Sequence, residues 1–193
     1  MSSEKLLRGR VLSFLDEPDG VDDASVYTYS EDGAILIRDR LIVASGEHAE
    51  VALRAAADAE VVDHRPNLLM PGFIDTHIHF PQVQVIASWA DQLLDWLNTY
   101  TFPEETKFAD PGHSARIASV FFDELLRHGT TTAAAYCSVH KASAEAFFGE
   151  AEKRNLRMIG GKVMMDRNAP DGVCDTPQSG YDDSKALIAE WHG

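Results

Sequence analysis

Pro71-Gly72-Phe73-Ile74-Asp75-Thr76-His77-Ile78-His79 is the stretch on which the reading of this chain turns. It predicts a strand that starts at Leu68, is broken only by Pro71-Gly72 and ends at His79. Side chains alternate between the two faces of a strand. Asp75, His77 and His79 are therefore expected on one face, and Ile74, Thr76 and Ile78 on the other. Two imidazoles separated by one residue can converge on one metal ion while their apolar neighbours pack behind them. Eight histidines in 193 residues make such a pair common by chance, so alone it is a weak signal. Its setting strengthens it. The pair closes an apolar strand, an aspartate precedes it by two residues, and Pro-Gly stands ahead of it.

Downstream, strands and helices alternate. Leu93 to Leu97 has helical spacing. Asp110-Pro111 opens a longer helix whose apolar stripe is Ile117, Val120, Phe121 and Leu125, and Gly129 stops it. Thr130 to Cys137 predicts a strand, Ser143 to Arg154 a helix, Met158 to Met165 a strand, and Tyr181 to Trp191 a helix. Such alternation implies parallel βαβ units. Upstream the pattern is β. Leu6 to Leu15 and Val26 to Tyr29 are apolar or alternating runs, and Ser30-Glu31-Asp32-Gly33 is a turn signal. Ala34 to Ile37 and Leu41 to Ala44 flank Arg38-Asp39-Arg40 as a hairpin. His48 to Ala59 is Ala-rich and predicts a short helix. Val61-Val62 begins a strand that Pro66 ends. The boundary between the two regimes falls near Pro66 to Met70.

Composition narrows the classes. Hydrophobic residues are 45% and charged residues 25% of the chain, the range of a folded globular protein. No apolar run approaches the roughly 18 residues of a membrane span, and the first twenty residues lack the apolar block of a signal peptide. The net charge of −14 and the absence of a Lys/Arg cluster argue against nucleic acid as a partner. A small neutral substrate is not repelled by such a surface. Cys137 and Cys174 are too few and too far apart for a disulfide framework. A cytoplasmic protein is expected.

PGFIDTHIH is similar to the signature at the first barrel strand of the amidohydrolase superfamily of metal-dependent hydrolases. AILIRDRLIVASGE resembles the small β-sandwich segment that those enzymes carry before the barrel. HIHFPQ, QLLDWLNTYTFPEE, LLRHGTTTA and GKVMMDRNAPD resemble the guanine deaminases within that superfamily, and these stretches cover most of 68–193. Asp39-Arg40 departs from the Asp-Gly usual in such hairpins, which weakens the expectation of a tight turn there.

The resemblance implies an α/β fold: an incomplete (β/α)8 TIM barrel over 68–193, preceded by a partial small β-sandwich over 1–67, as the N-terminal portion of a longer enzyme. It implies zinc-dependent hydrolytic deamination of guanine to xanthine and ammonia. One zinc per subunit is held in part by His77 and His79, and Gln82 contacts the guanine. Asp75 is a candidate to orient a histidine or to support the strand end. No proton-shuttling group is identifiable, and the isolated chain is expected to be inactive. The full-length enzyme is expected to be a homodimer with no membrane partner. Trp89, Leu93, Trp96 and Phe102 are read as a helix packing its apolar face, with a purine pocket wall as the alternative. His140 and Asp166 are read as loop residues. Two other functions stay open: another deaminase or cyclic amide hydrolase of the superfamily, and a non-catalytic module.

Overall fold

The structure, a computed structural model, describes residues 4–192. The chain forms two compact units, 1–71 and 72–193.

The first unit is built on one mixed four-stranded sheet of order β3-β2-β1-β4. Its strands are β1 (Glu4–Phe14), β2 (Tyr27–Arg38), β3 (Leu41–Glu47) and β4 (Glu60–Leu69). β2 runs antiparallel to β1 and β3, and β4 runs parallel to β1. Leu6, Ala34, Leu36 and Ala44 pack with Val51 into a small core. Among the described residues the first unit has this one sheet, so the second layer that a sandwich requires is not found there.

Three expectations for this unit give way to longer-range contacts. Ser30 to Gly33 is strand, not turn. Gly33 pairs with Gly9 and Ser30 with Val11, so a bulge absorbs the extra residue. The Asp32 carboxylate there meets Arg8 across the strands at 2.6 Å. Pro66 lies inside β4 rather than ending a strand. It can do so because β4 is an edge strand and the pairing with β1 skips from Asp63 to Leu68. The Ala-rich helix shrinks to α1 (His48–Val51) and a 3-10 turn, Ala52–Arg54. Arg54 donates to the Val43 carbonyl and the Ala56 N–H donates to Glu4, which draws the chain out of the helix. At the hairpin tip, Asp39 and Arg40 have φ of 50° and 71°. The tight turn with two left-handed residues forms without glycine.

The second unit is a three-stranded parallel sheet, β5 (Phe73–His79), β6 (Thr130–Tyr136) and β7 (Arg157–Gly161), in that order. Two long helices cross between them, α4 (Pro111–Arg127) after β5 and α5 (Lys141–Arg154) after β6, and α6 (Pro177–Trp191) follows β7. The shorter α2 (Leu93–Trp96) and α3 (Phe102–Thr106), joined by a π-helical segment, precede α4. The Asp110 side chain accepts from the N–H groups of Gly112 and His113 and so caps α4. Gly129, at φ 82°, ends it.

Ile117, Phe121 and Leu125 of the expected stripe are buried, whereas Val120 faces solvent. They join Phe80, Phe108, Phe122 and Phe147 over Ala133 and Ala135. Fully burying one such side chain stabilises by about 1.5–3 kcal/mol. A Cβ on Gly160 of β7 would come within 2.7 Å of Phe147, so glycine is what lets α5 lie this close to the sheet. Ala133 and Ala135 point into this core, so Ala134 and Tyr136 point to the opposite face. There Ile74, Tyr136 and Ile159 are exposed. No helix of the described residues is long and apolar enough to cross a membrane.

Candidate metal and substrate site

His77 and His79 end β5, as the sequence indicates. Their ring centroids are 5.3 Å apart. Tyr136, at the end of β6 and in register with His79, stacks on the His79 ring at 4.9 Å and meets His77 at 5.0 Å. Three rings from two adjacent strand ends thus form one cluster. Burial, and the His77 imidazole beside it, hold the pKa of His79 below the usual histidine value. The neutral ring is the form that ligates a metal.

The strict alternation expected from Asp75 to His79 does not run unbroken. Asp75 pairs with Ala133 and Ile78 with Ala135, three steps on β5 against two on β6. The irregularity frees the His77 N–H from the ladder, and Asp75 Oδ1 accepts it at 3.0 Å. The carboxylate is engaged with backbone at the irregularity, and no Asp75 bond to either ring is present.

Gln82 lies one turn beyond, in the 3-10 segment Phe80–Val85, which is anchored by fully buried Phe80 and Pro81. Its Nε2 donates to Glu105 Oε1 at 3.5 Å. Glu105 and its neighbour Glu104 are both only 6% exposed, in the first turn of α3. Lys107 reaches Glu104 at 2.5 Å, and His113 Nε2 lies 3.4 Å from its other oxygen without hydrogen-bond alignment. Among the described residues Glu105 has no such cation. Burial pushes its pKa up, opposed in part by the Gln82 bond.

A cleft of about 560 Å³ runs along β5. His77, His79, Gln82, Ile86 and Trp96 line it near the strand end, and Asp75, Glu124 and His128 line it further along. This volume is that of the whole groove beside β5, which is an edge strand of the sheet, and is not confined to the strand end. Trp96 is held by a bond from its indole N–H to the Ser88 carbonyl at 3.1 Å. Trp89 and Leu93 are 74% and 70% exposed, so they do not form the packed helix face anticipated for them. His140 is half-buried at the start of α5 with an unpartnered Nε2, and Asp166 is exposed in the loop after β7. Neither joins the histidine pair in the described cleft.

The amidohydrolase family model matches residues 68–192, which is most of the chain. The chain belongs to the amidohydrolase family. It is 42% identical to the guanine deaminase of Escherichia coli (strain K12) across its whole length, covering 45% of that protein. The solved structure of E. coli guanine deaminase superposes with a TM-score of 0.92 at 41% identity, over 97% of this chain and 44% of that one. A guanine deaminase from C. acetobutylicum, solved with guanine bound in its active site, superposes with a TM-score of 0.82 at 28% identity, over 97% and 43%. This amidohydrolase chain therefore spans less than half the length of the relatives it matches.

A zinc ion fits these residues as part of a larger donor set. Two imidazoles side by side at a strand end are ordinary zinc donors, and a catalytic zinc takes at least three protein ligands. Among the described residues no group of three His, Cys, Asp or Glu side chains is placed to hold a metal. Two residues of this candidate site were not anticipated from sequence. Tyr136 reads only as the end of a β-branched strand. Glu105 reads only as an acid after Pro103 in a first helical turn. Its burial against Gln82 depends on two segments 23 residues apart.

Proposed function

We propose that this chain carries part of the active site of a zinc-dependent aminohydrolase that converts guanine and water to xanthine and ammonia. The observation that carries this reading is the pairing of His77 and His79 with Gln82 in one cleft, in a chain 42% identical over its whole length to a guanine deaminase. The three-stranded parallel sheet is the first part of a (β/α)8 barrel over 68–193. The four-stranded sheet is one layer of a small β-sandwich over 1–67. In barrels of this kind, catalytic groups sit at the C-terminal ends of the strands, which is where His77 and His79 stand.

His77 and His79 are two of the ligands of a single zinc ion. Bound there, zinc supplies the Lewis acidity that makes water nucleophilic near neutral pH. Water adds at the purine carbon that carries the exocyclic amine, and that amine leaves as ammonia. Gln82 hydrogen-bonds the amide-like edge of the base, since a carboxamide offers both a donor and an acceptor. Trp96 and Ile86 line the cleft as apolar walls beside the base. Asp75 supports the strand end that carries the two ligands through its bond to the His77 N–H. The proton-shuttling carboxylate and the remaining ligands are assigned to none of these residues. We place the whole enzyme in the cytoplasm as a homodimer.

The test is a substrate panel on the full-length protein. Guanine should be deaminated in preference to adenine, cytosine and hydantoin, with about one zinc per subunit by metal analysis. Preference for another ring, or turnover without zinc, would overturn the reading.

A further inference from the structure

Gln82 and Glu105 pair a group of defined chemistry with a partner that has little else to bond. Glu105 is 6% exposed, and the Gln82 amide is the side-chain donor that meets it. The adjacent Glu104 faces Lys107 and His113 instead. One helical turn thus buries two carboxylates with different partners, one beside a lysine and a histidine and one beside a carboxamide. Burying a carboxylate beside a neutral donor alone is costly, which is why burial pushes the pKa of Glu105 up. A purely structural position of this kind is better filled by an apolar side chain.

The chemistry of the pair sets an orientation. An ionised carboxylate only accepts hydrogen bonds, whereas a carboxamide has an N–H2 end and a carbonyl end. In the structure the N–H2 end of Gln82 faces Glu105 Oε1 at 3.5 Å, the orientation an accepting carboxylate requires, and its carbonyl Oε1 is left to accept a bond. Gln82 lies on the 3-10 segment after β5 and Glu105 in α3, so the contact also ties the loop carrying Gln82 to the helix behind it.

We propose that Glu105 is a positioning residue that holds the Gln82 carboxamide with its carbonyl toward the substrate, so that the site selects a ring edge presenting an N–H. This rests on the proposal that Gln82 contacts guanine. Glu105 itself touches no reacting atom.

The experiment uses the full-length enzyme and four variants: Gln82→Ala, Glu105→Met, Glu105→Gln and the double variant Gln82→Ala/Glu105→Met. Methionine keeps the buried volume without an acceptor, and glutamine keeps an acceptor oxygen. In Glu105→Met, kcat/KM for guanine should fall about 3- to 10-fold, mostly through KM, the scale of one net hydrogen bond. Glu105→Gln should stay within about 2-fold of the unmodified enzyme. With Gln82 already alanine, Glu105→Met should add less than about 2-fold, because residues that act as one unit are non-additive. Equal losses from Glu105→Met in both backgrounds would overturn the proposal. A crystal structure of each Glu105 variant gives a readout independent of the substrate. The Gln82 carboxamide should turn or shift in Glu105→Met and keep its place in Glu105→Gln. An unmoved carboxamide in Glu105→Met overturns the positioning role whatever the substrate is. A displaced carboxamide with unchanged guanine kinetics supports the coupling and overturns the guanine role of Gln82 instead.

Discussion

Tyr136 stacks on His79 with ring centroids 4.9 Å apart and planes 19° from parallel. The two residues are register partners at the ends of β6 and β5, so sheet pairing itself brings the rings together. The stack fixes the plane in which the His79 imidazole offers its nitrogens. Aromatic pairs of this kind are worth about 0.5–1.5 kcal/mol. Tyr136→Ala in the full-length enzyme should weaken zinc retention against a chelator by roughly 2- to 10-fold, and Tyr136→Phe, which keeps the stack, should not. Equal zinc retention in both variants would show the stack to be incidental.

If His77 is a zinc ligand as proposed, His77→Ala should lower zinc content and guanine turnover together by orders of magnitude. Gln82→Ala should leave zinc in place and cut kcat/KM for guanine by roughly 10- to 100-fold. That range combines a lost hydrogen bond with a buried group left unpaired. Metal analysis alongside kinetics separates the two roles. A Gln82→Ala enzyme that loses zinc, or that retains unmodified kinetics, contradicts the assignment.

Much of this site is legible along the chain because its signals are local. Asp110-Pro111 and Gly129 bracket α4 through the backbone chemistry of capping and of a positive φ, and both fall where the sequence puts them. His77 and His79 are two residues apart on one strand, so their approach needs no tertiary information. What is not legible depends on partners distant in sequence. The polar run Ser30 to Gly33 becomes strand because β1 supplies a ladder, a bulge and Arg8. Asp75 departs from simple alternation because β6 pairs with β5 out of step. The contacts of Tyr136 with His79 and of Glu105 with Gln82 are set by strand register and helix docking, which periodicity does not encode.

The hairpin between β2 and β3 gives a stability prediction independent of the site. Arg40 adopts φ of 71°, in the left-handed region where a Cβ costs about 1–2 kcal/mol. Glycine removes that cost but adds freedom to the unfolded chain. Arg40→Gly should therefore stabilise the first unit by about 0.5–1 kcal/mol, read as a higher urea midpoint. Asp39, at φ of 50°, is better left alone, since aspartate tolerates this region. A lower midpoint for Arg40→Gly would mean that the arginine side chain makes a contact worth more than the backbone strain.

The chain of 193 residues, purified alone, should not turn over guanine. It places two imidazoles together, and among the described residues no third His, Cys, Asp or Glu completes a metal group. Zinc bound by two side chains keeps more water ligands and is lost readily to a chelator. The parallel sheet also has two open edges, β5 and β7. The exposed Ile74 and Ile159 stand on its uncovered face. Unpaired strand edges beside exposed apolar side chains favour association between copies. The isolated chain should accordingly bind zinc weakly and form concentration-dependent oligomers. The measurement is xanthine formation with added zinc and guanine, beside zinc titration and light scattering. Turnover comparable to the full-length enzyme would mean that His77, His79 and the residues around them form a complete catalytic unit, and the two-ligand account of the site would fall.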